Sequence, residues 1–293
     1  MEHTAAASSA APVGTFFARN EFLIRRLHSL TGLLPVGAYM CVHLITNAST
    51  LGGPAMFQKN VDLIHSLGPA LPIVEWSFIF LPLLFHAIVG VVIIRSGDPN
   101  LSSYHYVGNV RYWLQRATAW IALAFILYHV FHMHGWFHNK LWIDNVAKPL
   151  GGYQFRPHEA SSTAALALTS MTKKLAYGIG VISCVFHFAN GLWTMGITWG
   201  VWTSAKAQQR ANWLCGAIGV VMTVVGLSAL FGVTSIDIDE AQAIEQAQAE
   251  ARASEKARAE ELEAKIKAAK IKSAAAAKPA ETPKPAASTE KPH

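Results

Sequence analysis

Five apolar stretches, at about 27–48, 74–94, 113–134, 175–201 and 211–233, constrain this chain more than anything else in it. A helix needs about 20 apolar residues to cross the hydrocarbon of a bilayer, and each stretch is of that order. No water reaches backbone N–H and C=O groups there, so such a segment must close its hydrogen bonds within itself, as a helix. Interior Pro35 and Pro82, and Gly37, Gly90 and Gly180, are compatible with this, because neighbouring helices can satisfy the freed backbone groups. Trp76, Trp113, Trp136, Trp199, Trp202 and Trp213 fall near the ends of the stretches, as an aromatic belt does. The sequence therefore predicts an all-α integral membrane protein, a bundle of five transmembrane helices.

Charge supports the same reading. Only 14% of the 293 residues are charged, against roughly a quarter in a soluble domain, and residues 236–293 hold a large share of them. The net charge of +6 is not gathered into a basic face with interleaved aromatics, which argues against nucleic acid and for membrane lipid as the surroundings. Cys41, Cys184 and Cys215 sit far apart in apolar runs and read as small buried residues. Residues 1–17 lack the basic start, apolar run and cleavage site of a signal peptide, and Arg25-Arg26 is followed by no small-residue exit of the twin-arginine kind.

Four segments are expected: a disordered 1–17, a membrane domain at 18–233, a charged helical tail at 234–272 dense in Ala, Glu, Lys and Arg, and a disordered Pro/Ala/Lys-rich end at 273–293. The tail reads as a spacer without chemistry, since Ile244, Leu262 and Ile266 are too sparse for a heptad seam. Arg19, Arg25, Arg26, Arg95, Arg111, Arg116, Lys206 and Arg210 flank one side of the spans. Lys59, Lys140, Lys148, Arg156, Lys173 and Lys174 are spread over longer loops on the other. The positive-inside rule then puts the N-terminus in the cytoplasm and the C-terminal tail on the opposite side of a cell inner (cytoplasmic) membrane.

Within the spans the informative residues are histidines. His43, His86, His129 and His187 occupy four consecutive spans, one each. An ionisable residue at membrane depth is costly if charged and by default marks function. A lone histidine could be a neutral, hydrogen-bonded core residue, but four in this pattern fit two bis-histidine haems b. Neutral imidazole is an axial ligand for haem iron, and a pair leaves no open position, which suits electron transfer rather than oxygen chemistry.

Depth, taken at roughly 1.5 Å per residue, puts His43 about 25 Å and His129 about 20 Å from the inner end, and His187 about 18 Å and His86 about 14 Å. This ranks His43 with His129 as the outer pair and His86 with His187 as the inner one, although the step from His129 to His187 is small. Gly90 and Gly191 follow His86 and His187 by four residues, leaving room for a flat macrocycle or for ordinary small-residue packing. Arg25, Arg26, His28, Ser29, Gln115 and Arg116, at the inner end, are candidates to bind haem propionates, the competing role of the arginines being orientation. His132, His134 and His138 crowd the outer end of the third span and read as a solvated interfacial cluster rather than a metal site. His65, in an outer loop, is a candidate quinone contact or a water-facing residue.

The stretches FLIRRLHSLTGLLPVG…VH, FIFLPLLFHAIVGV, WLQRATAW…YHV and VFHFANGLWTMGITWG resemble the single-chain, two-haem cytochrome b anchor subunits of succinate dehydrogenase/fumarate reductase, over about residues 18–233. The resemblance implies His43/His129 as ligands of a distal haem and His86/His187 of a proximal one. It also implies flavoprotein and iron–sulfur partner subunits on the inner face, and menaquinone as the usual quinone. Fumarate reductases of this family carry a proton-conducting glutamate two residues before the fourth-span histidine. Here that residue is Val185, which favours succinate oxidation. The chain has no paired carboxylates, nucleophile triad or flavin motif, so succinate chemistry would belong to the partners. The competing readings are a cytochrome b of hydrogenase or formate dehydrogenase type and a haem-free anchor.

Overall fold

The computed structural model describes residues 16–95, 97, 101–103 and 105–276. Among them there is no strand, and five helices are long and apolar enough to cross a membrane: span I Arg19–Gly52, span II Gly68–Arg95, span III Val107–His134, span IV Met171–Thr198 and span V Ala205–Thr234. The membrane fold predicted from the apolar stretches is the one observed. The expected disorder of 1–17 and 273–293 falls mostly on residues outside those described, with helix already present at Phe16 and continuing to Ala276.

Packing runs in the inverse of the soluble pattern. Leu84, Ile88, Leu127, Ile182, Val220, Val224 and Phe231 point outward and are exposed, which hydrocarbon tolerates and water would not. Inside, small residues let backbones approach. Span IV packs against spans III and V, span V against span I, and span I against span II. A Cβ on Gly226 of span V would lie 2.5 Å from Val181 Cγ1, and one on Gly232 would lie 2.3 Å from Thr50 Oγ1.

Spans I and II are not uniform α-helices. Span I passes through a π-helical turn at Gly32–Gly37, which contains Pro35, and span II through one at Trp76–Phe80, just before Pro82. Proline has no N–H and its ring collides with the carbonyl four residues earlier. A wider i→i+5 turn accommodates that collision without ending the helix. His43 and His86 both follow these turns, so the turns set the direction in which each points.

The outer ends are roofed by short helices with their own core. Phe57 and Val61 of Pro54–His65 pack with Met133, Ala160, Ala164, Leu168, Tyr177 and Val233. Gln58, fully buried, donates to Pro157 O at 2.7 Å and accepts from Ala160 N at 2.8 Å. Buried Glu245 accepts from Ser161 N at 2.7 Å and Ser162 N at 3.0 Å, at the start of helix Ala160–Ala167, where unpaired N–H groups favour a carboxylate. The backbone of 153–155 runs along the end of span III, with Gln154 N donating to His132 O at 3.0 Å.

Residues 246–293 form a separate unit, described through Ala276 as the continuation of helix Ile238–Ala276. Its charges pair along its own surface, Lys265 with Glu261 at 2.6 Å and Lys256 with Glu260 at 3.9 Å.

Candidate functional site

The four span histidines meet as two pairs. His43 of span I and His129 of span III have ring centroids 5.8 Å apart, with planes at 75°. His86 of span II and His187 of span IV stand 6.1 Å apart at 84°. Metal–imidazole bonds of about 2 Å put two imidazoles that face each other across one ion roughly 6 Å apart, centroid to centroid. Both pairs have that spacing. Depth ranked the pairs the same way from the sequence.

In three of the four, Nδ1 is already engaged and Nε2 is left for the facing partner. His86 Nδ1 lies 2.9 Å from His28 O, His187 Nδ1 lies 3.2 Å from Gln115 O, and His129 Nδ1 lies 3.3 Å from the Tyr177 hydroxyl. Such partners fix the tautomer and the ring orientation of a metal-binding imidazole. His43 stands against Tyr39, ring centroids 5.5 Å apart, and against Asn47.

His187 of the inner pair is held by a polar network that crosses three spans. Gln115 Nε2 donates to His187 O at 3.1 Å, and Asn190 Nδ2 donates to Gln115 Oε1 at 2.6 Å. Arg111 donates to Asn190 Oδ1 and, at 2.7 Å, to Asn212 Oδ1, with its guanidinium 3.9 Å from the Trp193 ring. Gln115, a candidate propionate contact in the sequence, is thus a clamp on His187. Arg111 and Asn190 were not singled out there. The signal available was Asn190 three residues after His187, on the same helix face.

The remaining inner candidates separate by partner. Arg25 is salt-bridged to Glu21 at 2.7 Å. Ser29 donates to Arg26 O at 2.9 Å and accepts from Trp199 Nε1 at 3.0 Å, joining spans I and IV. Arg26 Nε, Arg116 Nε and His28 Nδ1 are buried and have no hydrogen-bond partner. The His28 ring is stacked on His86, centroids 4.0 Å apart and planes at 10°, so it does not face His187 as a third ligand would.

The outer cluster divides. His134 and His138 are exposed, with rings 6.2 Å apart, as an interfacial pair would be. His132 is 1% exposed. It faces inward because it sits three residues beyond His129, on nearly the same helix face, so the solvated reading does not hold for it. Among the described residues no group of three or more His, Cys, Asp or Glu could hold a metal ion. His65 ends helix Pro54–His65, with Nδ1 2.9 Å from Val61 O.

The glycines after the inner histidines admit neighbouring side chains. A Cβ on Gly90 would lie 3.2 Å from His28 Cε1, and one on Gly191 would lie 3.6 Å from Gln115 Nε2. Gly32 matters more, because its Cβ would lie 2.3 Å from His86 Cε1. That ring is fixed by the His28 carbonyl and the His28 stack, and cannot give way cheaply. Gly32→Ala is expected to destabilise the purified protein by about 1–3 kcal/mol, the usual range for overpacking. Gly216→Ala, where no atom lies within 4 Å, should be nearly neutral; detergent unfolding curves of the two compare them directly.

No protein-family model matches the chain. The chain is similar to the succinate dehydrogenase cytochrome b558 subunit of Bacillus subtilis (strain 168), at 34% identity over 214 residues, which is 72% of this chain and 96% of that protein. With identity at this level across nearly the whole relative, and with five spans in place, the chain belongs to the family of cytochrome b subunits that anchor succinate dehydrogenase in the membrane.

Proposed function

We propose that this chain holds two haems b, one between His43 and His129 near the outer face and one between His86 and His187 near the inner face, and that quinone, specifically menaquinone, reacts outside. The observation that carries the proposal is the pair of facing imidazole couples, each spaced for a shared ion, which the helix rise ranks at different depths. As the cytochrome b subunit of succinate dehydrogenase, a non-catalytic membrane subunit, the chain associates with the flavoprotein and iron–sulfur subunits.

The inner end fits the group its residues would hold. Arg26 Nε, Arg116 Nε and His28 Nδ1 are buried donors or acceptors without a partner, a condition proteins rarely leave unrelieved. Haem propionates are carboxylates, and charge-assisted bonds from arginine to carboxylate are strong. When bound, the haems supply one-electron relay positions through the low-dielectric interior. The chain's own groups orient the ligands: carbonyls of His28 and Gln115 hold the inner imidazoles, and the Gln115–Asn190–Arg111 network ties His187 to the inner surface.

The excess of Lys and Arg on one side of the spans supports an N-terminus in the cytoplasm, in a cell inner membrane, with the iron–sulfur subunit docking on the face that carries Arg111 and Arg116. The quinone would approach the outer ends of spans I and III and the 49–73 connection. Val185 is 1% exposed and packs with Leu44 and Met222, with no polar group at the place of the family's proton-carrying glutamate.

Two outcomes are expected. Pyridine haemochrome analysis of the purified complex should give two haems b per chain; one or none defeats the proposal. Moving one charge across 100 mV involves about 2.3 kcal/mol, so electrons released inside and delivered outside are helped by a potential that is negative inside. Succinate–menaquinone activity in sealed vesicles holding such a potential should therefore fall when an uncoupler collapses it. Activity indifferent to the uncoupler would place the quinone site inside.

A further inference from the structure

Span III carries a buried histidine that neither proposed haem layer uses. His132 stacks on Tyr128, ring centroids 5.2 Å apart and planes at 10°. Its Nδ1 lies 2.8 Å from the Tyr177 hydroxyl, and its Nε2 is buried without a partner. The same hydroxyl lies 3.3 Å from Nδ1 of His129. Tyr177, on span IV, is itself 6% exposed and packed among the outer core. One phenol thus bridges the Nδ1 atoms of two imidazoles on the neighbouring helix.

A hydroxyl has one proton to give and lone pairs to receive, and a neutral imidazole has one donor and one acceptor nitrogen. With the buried Tyr177 proton kept within the triad, as a buried donor requires, two directions of bonding are open. If His132 donates to Tyr177 and Tyr177 donates to His129, the His129 proton sits on Nε2, and that nitrogen cannot bind a metal. If His129 donates to Tyr177 and Tyr177 donates to His132, Nε2 of His129 is free. The ligand role of His129 selects the second direction.

We infer that Tyr177 is the positioning residue of the outer haem ligand, and that His132 is there to receive the Tyr177 proton and so hold the chain His129→Tyr177→His132 in the one direction that leaves His129 Nε2 open. This rests on His129 being a haem ligand. The inner layer obtains the same result with backbone carbonyls, which accept and never donate, so it needs no third group. A hydroxyl can point either way; with His132 Nδ1 accepting, the Tyr177 proton points away from His129 and leaves the phenol oxygen to receive the His129 proton. An acceptor on the far nitrogen makes a ligating imidazole more basic, and a hydroxyl that is itself donating accepts more strongly. The pair therefore sets the donor strength of His129 as well as its tautomer.

The test is a redox titration of each haem in the purified complex, with haem content measured alongside, for Tyr177→Phe, His132→Leu and His132→Asn. Asn presents an amide oxygen near the place of Nδ1 and can receive the Tyr177 proton. Loss of the acceptor weakens His129 as a donor to oxidised iron. Tyr177→Phe should therefore raise the midpoint potential of the component that disappears in His129→Ala and leave the other unmoved. His132→Leu should raise the same component by less, and His132→Asn should restore it. Unchanged potentials in Tyr177→Phe with two haems bound, or equal shifts of both haems, overturn the inference. If Tyr177→Phe does not assemble, the two His132 variants decide: a shift in Leu that Asn reverses supports the chain, and identical potentials in both overturn it. Retention of both haems in His129→Ala would instead overturn the ligand assignment, which is a separate failure.

Discussion

A neutral imidazole that faces another across a dry helix bundle is the interaction on which the rest of this structure depends. The membrane interior penalises an imidazolium, so each ring must stay neutral, present one nitrogen to its partner and give the other to a fixed group. The inner rings meet that demand with backbone carbonyls of His28 and Gln115, the outer His129 with the Tyr177 hydroxyl. Span V supplies no histidine. It backs spans I and IV through small residues such as Gly226 and Gly232, close enough that a single methyl would collide.

Holding two layers at once places demands on the backbone. A ligand must be right in depth and in direction, and an α-helix rotates about 100° per residue. The π-helical turns before His43 and His86 each fit one extra residue into the helix and so re-aim everything after them. Pro35 and Pro82 make those turns necessary, and Gly32 makes room for the His86 ring beside one of them. Backbone irregularity, a small residue and a proposed ligand thus form one unit in spans I and II, whereas spans III and IV are regular and support their histidines through the Gln115 carbonyl as well as through side chains.

Much of this was legible in the sequence, because hydrocarbon thickness and helix rise are simple rulers. The number of spans followed from apolar length; depth ranked His43 with His129 and His86 with His187 by a small margin, and the rings face each other in those couples. What depth cannot give is azimuth. His132 read as an interfacial residue beside His134 and His138, although its place on span III turns it inward, towards Tyr177. Gln115 also holds His187 and Asn190 on the facing helix, a role the sequence did not show. Asn190 and Tyr177 went unnoticed, and Arg111 was read only as a flanking charge, because a polar residue in a span becomes informative only when its neighbour on another helix is known. The π turns left only the two prolines as their trace.

The two-layer arrangement is tested most directly by deleting the four histidines one at a time and recording reduced absorption spectra of the purified complexes. The expected result is two classes. His86→Ala and His187→Ala should each remove one and the same haem component, and His43→Ala and His129→Ala should each remove the other. Loss of a common component in His43→Ala and His86→Ala, or four variants that all retain both haems, would contradict the pairing of imidazoles from which the structure has been explained.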